Sequence, residues 1–155
     1  MPDTTPDLPA LPVTFRPGRT RAVLTVLAVL TFAAITAVGM LLDGLGTGER
    51  LSFALTALLL AGVLFLLARP RVTADETGVT VVNLTTKRRL AWAEIIRVNL
   101  RQGDPWAFLD LSDGTSLPAL GIQPGIAKQR AIQDARALRA LVEARSAADD
   151  ETPRG

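Results

Sequence analysis

The chain contains no cysteine, no histidine and no tyrosine. Without cysteine there is no disulfide framework and no thiolate nucleophile. Without histidine a Ser-His-Asp triad is excluded, and imidazole and thiolate metal sites go with it. Most side chains that do acid–base work near neutral pH are therefore missing. Carboxylates remain, and Glu94, Asp110 and Asp113 are the candidates that folding can bring together. Asp113, however, has turn chemistry in Asp-Gly, and Glu94 lies beside an apparent strand turn. The expectation is a protein that is not an enzyme, with no catalytic residue, no cofactor and no metal.

Charge of one sign is also scarce. Seventeen Lys and Arg face fifteen Asp and Glu, for a net charge of +2. That balance gives no dense basic face, so no nucleic acid is expected as a partner. Nearly all the basic residues are Arg; only Lys87 and Lys128 are lysines.

What the chain has in quantity is apolar sequence, in two uncharged runs over residues 22–42 and 51–68. As helices these reach roughly 31 and 27 Å, against about 30 Å of bilayer hydrocarbon. They predict a transmembrane helical hairpin over 22–68. Arg16, Arg19 and Arg21 precede the first run, and Arg69 and Arg71 follow the second. The connection, residues 43–50, has two acids and one Arg. Arg concentrates on the cytoplasmic side of short flanks, so these five residues set the topology. The expectation is a multi-pass protein of the plasma (inner) membrane with its N-terminus and C-terminal domain in the cytoplasm. A rival reading takes the first run as a signal peptide cleaved at Ala37-Val38-Gly39, giving a secreted or surface protein. The run exceeds an ordinary signal core and a second span follows at once, which favours the hairpin.

No ionisable group lies within the spans, which argues against transport or proton relay. Ala33 with Ala37, and Ala57 with Ala61, have the small-xxx-small spacing that lets two helices approach. Gly44, Gly46 and Gly48 fall in the connection and read as a tight turn, not a phosphate cradle.

Residues 1–21 carry five prolines and no periodic pattern, and read as a disordered cytosolic tail tied down at most near residues 13–15. After Pro70 the period becomes alternating. Short strands are expected over 72–74, 79–84, 89–92, 96–100, 106–111 and 116–120, with turns between them. Ile96, Val98 and Leu100 are placed on the inner face of their strand, and Arg97, Asn99 and Arg101 on the outer. Residues 126–145 read as one amphipathic helix with an apolar stripe through Ile132, Ala135, Leu138 and Val142, widened by Ala131 and Leu141. Arg130 with Asp134, and Arg139 with Glu143, are spaced as i,i+4 pairs. Residues 146–155 read as a disordered tail.

A strand-rich meander closed by one helix has the order of a pleckstrin-homology (PH) domain. Residues 72–78 (VTADETG), 89–95 (RLAWAEI) and 111–114 (LSDG) resemble bacterial PH-like domains, in particular the family named after low molecular weight protein antigen 6. The resemblance covers residues 69–145 and extends to the two preceding spans. It implies an α+β fold: the helical hairpin, then a partly open antiparallel β-barrel or sheet of about six strands capped by a C-terminal helix. It implies a binding scaffold and no chemistry. In phosphoinositide-binding relatives, basic residues gather around the loop joining the first two strands. Here that loop reads as the acidic 75–78, so no residue is carried over as a lipid ligand.

The functional expectation is a non-catalytic interaction or scaffold module at the cytoplasmic membrane face. The bilayer and a protein partner of unstated identity are its partners, and a homo-oligomer is a further reading. The alternative is a sensor of anionic lipid. Lys87, Arg88 and Arg89 form the one dense basic run and would make its lipid contact; the competing reading is a solvated hairpin tip. Trp92 shares a face with Leu90 and is expected in the core, whereas Trp106 is balanced between a groove and the membrane interface.

Overall fold

The protein, a computed structural model, is described over residues 8–151. The tail expectations for residues 1–7 and 152–155 lie outside the described residues. The chain forms two compact units, one of residues 18–69 and one of residues up to 17 together with those from 70 onward.

The first unit is a helical hairpin of α1 (Gly18–Leu41) and α2 (Thr47–Leu67). Both helices begin about a turn before their apolar runs. The Glu49 carboxylate accepts the Gly46 N–H at 2.8 Å, at the helix end where the dipole favours an acid. Of the three glycines in the connection only Gly44 has positive φ, at 84°. The helices meet through small residues: Ala28 and Gly39 of α1, and Ala57 and Ala61 of α2, are buried. A Cβ on Gly39 would lie 2.7 Å from that of Phe53, so glycine is required at this contact. Ala33 and Ala37 are exposed instead, because α1 turns the stripe through Ala28 and Gly39 to its partner.

The second unit holds two antiparallel sheets. Sheet one has the order β1 (Val13–Phe15), β2 (Arg71–Asp75), β3 (Gly78–Val82), β4 (Lys87–Leu90). Sheet two has β5 (Ile95–Asn99), β6 (Ala107–Leu111), β7 (Ser116–Ala119). The six expected strands are β2 to β7. The addition is β1, whose Val13, Thr14 and Phe15 pair with Ala74, Thr73 and Val72. Residues 13–15 are therefore a strand and not part of a tail, and Phe15 is 5% exposed in the core. Three residues are too few to display a period, and their partner lies beyond the whole hairpin.

The closing helix α3 (Lys128–Glu151) runs past Arg145, so residues 146–151 are helical where a tail was expected. It covers the sheets with Ala131, Ala135, Leu138, Leu141 and Val142. The same core cluster holds Val72, Leu90, Ile95 and Leu109 of the strands. Trp92 is buried as expected, but on a single 3-10 turn between β4 and β5, where its indole N–H donates to the Asp75 carbonyl at 3.1 Å.

Two expected placements change. The β5–β6 register slips between Ile95 and Arg97. This bulge puts Ile95 inward and leaves Ile96 65% exposed, reversing the inner-face assignment of Ile96. Arg139 does not pair with Glu143; its guanidinium donates twice to the Val98 carbonyl, at 3.1 and 2.8 Å, and so occupies an outward acceptor of edge strand β5.

Candidate functional site

The pairing of β1 with β2 redefines the loop between the first two strands. That loop is not residues 75–78, which join β2 to β3; it is the helical hairpin itself. All five expected topology residues flank it and all are exposed. Arg16 and Arg71 belong to the sheet unit, whereas Arg19 and Arg21 open α1 and Arg69 follows α2.

The run Lys87, Arg88, Arg89 is not a hairpin tip. It forms most of β4, the edge strand of sheet one. The reversal is made one step earlier, where the Asn83 N–H donates to the Thr86 carbonyl at 2.9 Å. Charge along an edge strand guards its unpaired backbone groups against another chain. The three side chains have different surroundings. Arg89 donates to both Asp75 oxygens, at 3.0 and 2.9 Å, to Thr80 Oγ1 at 2.9 Å and to Thr77 Oγ1. The Arg89 hydrogen bond, with those from Thr77, holds the Asp75 carboxyl well below the usual carboxylate range; Asp75 in turn raises Arg89. Arg88 lies 3.7 Å from Asp113, an exposed pair of little energy. Lys87 makes no ion pair among the described residues.

The acidic turn after β2 is a structural knot. Asp75 Oδ1 accepts the N–H groups of Thr77 and Gly78, and Glu76 pairs with Arg145 at 2.5 Å. The Arg145 guanidinium also lies 5.9 Å from the centroid of the Trp92 ring, so α3 is fastened to the turn from two directions. The three carboxylates considered for catalysis do not converge. Glu94 accepts the Ala91 N–H, Asp110 accepts from Asn99 and Ser116, and Asp113 accepts from Thr115. The clefts on this unit are open and shallow. One of about 530 Å³ includes Leu100, Arg101, Lys128 and Ile132 in its wall, and one of about 290 Å³ runs past Ile96, Arg97 and Arg139. Trp106 is half-buried against Phe108, ring centroids 6.4 Å apart, and its indole nitrogen has no hydrogen-bond partner among the described residues.

Four strands against three, with one C-terminal helix over an apolar core, make a fold of the pleckstrin-homology class, and several of its charged side chains are tied into structural bonds. Residues 69–141 match the family model for the bacterial PH domain. The match begins after the hairpin, so it does not include β1. The uncharacterized protein Rv1417 of Mycobacterium tuberculosis and the uncharacterized protein Mb1452 of Mycobacterium bovis are each 34% identical over 96 residues. That stretch covers 62% of this chain and 62% of each relative, so the likeness spans less than two thirds of either. No solved structure matches the chain.

Proposed function

We propose that the protein is a membrane-anchored, non-catalytic interaction module, holding its PH domain at the cytoplasmic face of the plasma membrane. The observation that carries this reading is the insertion of the apolar hairpin between β1 and β2. Both helices are long and apolar enough to span, and only 11% of each apolar window is buried. A core helix of a soluble domain would bury most of that surface. Because Phe15 and Val72 are paired neighbours, the hairpin leaves the sheet and returns to it at one place. Both of its ends then lie on one side, and the Arg flanks choose the cytoplasm. Signal cleavage near Gly39 would remove β1 and take Phe15 out of the core, which weighs against the secreted reading.

In-cell crosslinking of the full chain tests this function. Partners captured by the full chain should be absent when residues 70–151 are deleted and the hairpin is kept. An unchanged partner set would refute the scaffold role. The second reading, a sensor of anionic lipid through Lys87, Arg88 and Arg89, is favoured by Lys87, which makes no ion pair among the described residues, and disfavoured by the engagement of Arg89 with Asp75.

A further inference from the structure

The apolar pattern of the sheet unit exceeds what its own core uses. Leu100 and Ile132 belong to apolar faces by their spacing, yet each is left only partly buried. They come together, with Pro124, in the wall of the cleft of about 530 Å³ between the turn after β5 and the start of α3.

Arg101 and Lys128 stand in the same wall. Both are exposed, and neither makes an ion pair among the described residues. Asp104, the carboxylate of this wall, is turned to its own loop. It accepts the Arg101 N–H at 2.8 Å, while the Asp104 N–H donates to the Arg101 carbonyl at 3.1 Å. The loop before α3 is closed in the same way, the Ala127 N–H donating to the Pro124 carbonyl at 2.9 Å. Both loops are thus fastened before anything enters, which lowers the cost of binding.

Charge and apolar surface alternate here at short range. Arg101 follows Leu100 directly, and Lys128 precedes Ile132 by one helical turn, about 6 Å of rise. A ligand that satisfies both must carry its anion and its apolar group equally close together. The last residue of a polypeptide does so, with a carboxylate and a side chain on one Cα. Pockets for small molecules bury most of their ligand, whereas this cleft is open and shallow. An open cleft suits the end of a chain whose remainder stays in water.

We infer that this cleft captures the C-terminus of a partner polypeptide. Arg101 and Lys128 hold the terminal carboxylate, and Leu100, Pro124 and Ile132 receive an aliphatic last side chain. This rests on the interaction-module reading and names the kind of partner that module takes.

The test uses the full chain in phosphatidylcholine nanodiscs, with a fluorescein-labelled Gly-Ser octapeptide ending in Ile as probe, read by fluorescence polarisation. Binding should weaken about ten-fold when the C-terminus is amidated, and about as much when the last residue is Gly. Arg101→Gln and Lys128→Gln should each shrink the carboxylate dependence about five-fold and keep the difference between Ile and Gly ends. Ile132→Ser should do the reverse. Folding of each variant is checked by tryptophan fluorescence melting. Equal binding of free and amidated peptides to the wild-type chain overturns the inference. Equal losses in Arg97→Gln and Arg136→Gln, exposed cations outside the cleft, overturn it too, because diffuse charge then suffices. N-acetylisoleucine competing as strongly as the octapeptide would make the occupant a free small carboxylate, which also overturns it. If no peptide binds while in-cell crosslinks still depend on residues 70–151, the cleft alone is refuted. Crosslinks independent of those residues refute the interaction-module reading beneath it.

Discussion

Single residues carry more of this fold than their number suggests. Phe15 is the one large apolar side chain that β1 buries, and Phe15→Ala should cost about 3–5 kcal/mol in denaturant melts of the sheet unit. Gly121 is a second such position. A Cβ there would come within 2.6 Å of the Arg71 backbone, so Gly121→Ala should cost about 1–3 kcal/mol by the same measurement. Asp75 sets an acid limit. Its folded pKa is depressed by Arg89 and Thr77, so its contribution is complete above the unfolded value of about 4 and is lost as pH falls through the folded value. Melting temperature should therefore drop below about pH 4, and Asp75→Asn should flatten that drop. Asp134 works the other way. Burial on α3 raises its pKa despite Arg130, which penalises the folded state once the carboxyl ionises. Asp134→Asn should stabilise the protein at pH 7 more than at pH 4 in the same melts.

At the scale of elements, what was legible in the sequence was whatever lies close along the chain. β2 to β7 announce themselves by alternation and by turn residues such as Asp113-Gly114, where Gly114 has φ of 82°. The stripe of α3 was readable for the same reason: Ala131, Ala135, Leu138, Leu141 and Val142 all lie in the core, and only Ile132 is left at its margin. β1 was only half legible, because three residues between prolines carry no period. The bulge in β5 was not legible: Ile95 and Ile96 are equally apolar, and only pairing with β6 decides which turns inward. The fate of Arg139 was hidden similarly, since an i,i+4 acid was available and the Val98 carbonyl became visible only with α3 in place. The basic run on β4 could be counted but not interpreted, as the pairing of Arg89 with Asp75 and the weak pairing of Arg88 with Asp113 appear only when the strands and turns are brought together.

At the scale of the molecule, the apolar hairpin is an insertion between β1 and β2 and not an appendage before the sheet. A fragment beginning at residue 70 lacks β1, and should melt below the sheet unit of the full chain or expose its β2 edge to self-association. Supplying residues 8–17 as a peptide should recover part of the loss, read by tryptophan fluorescence. Insertion also makes topology a joint property of both ends. Protease added outside intact cells should leave residues 8–17 and 70–151 uncut together; cleavage of one but not the other would contradict the β1–β2 pairing.

The amino-acid order alone settled the two long apolar runs, the succession of short strands, the closing helix and the absence of thiol and imidazole chemistry. Each of these is a property of contiguous residues or of composition, so no partner segment is needed to read it. Tertiary structure settled how the pieces close: that residues 13–15 complete a sheet begun after the hairpin, with Phe15 set opposite Val72. Those facts depend on register between segments separated by the whole hairpin, and register is set by which side chains the common core accepts.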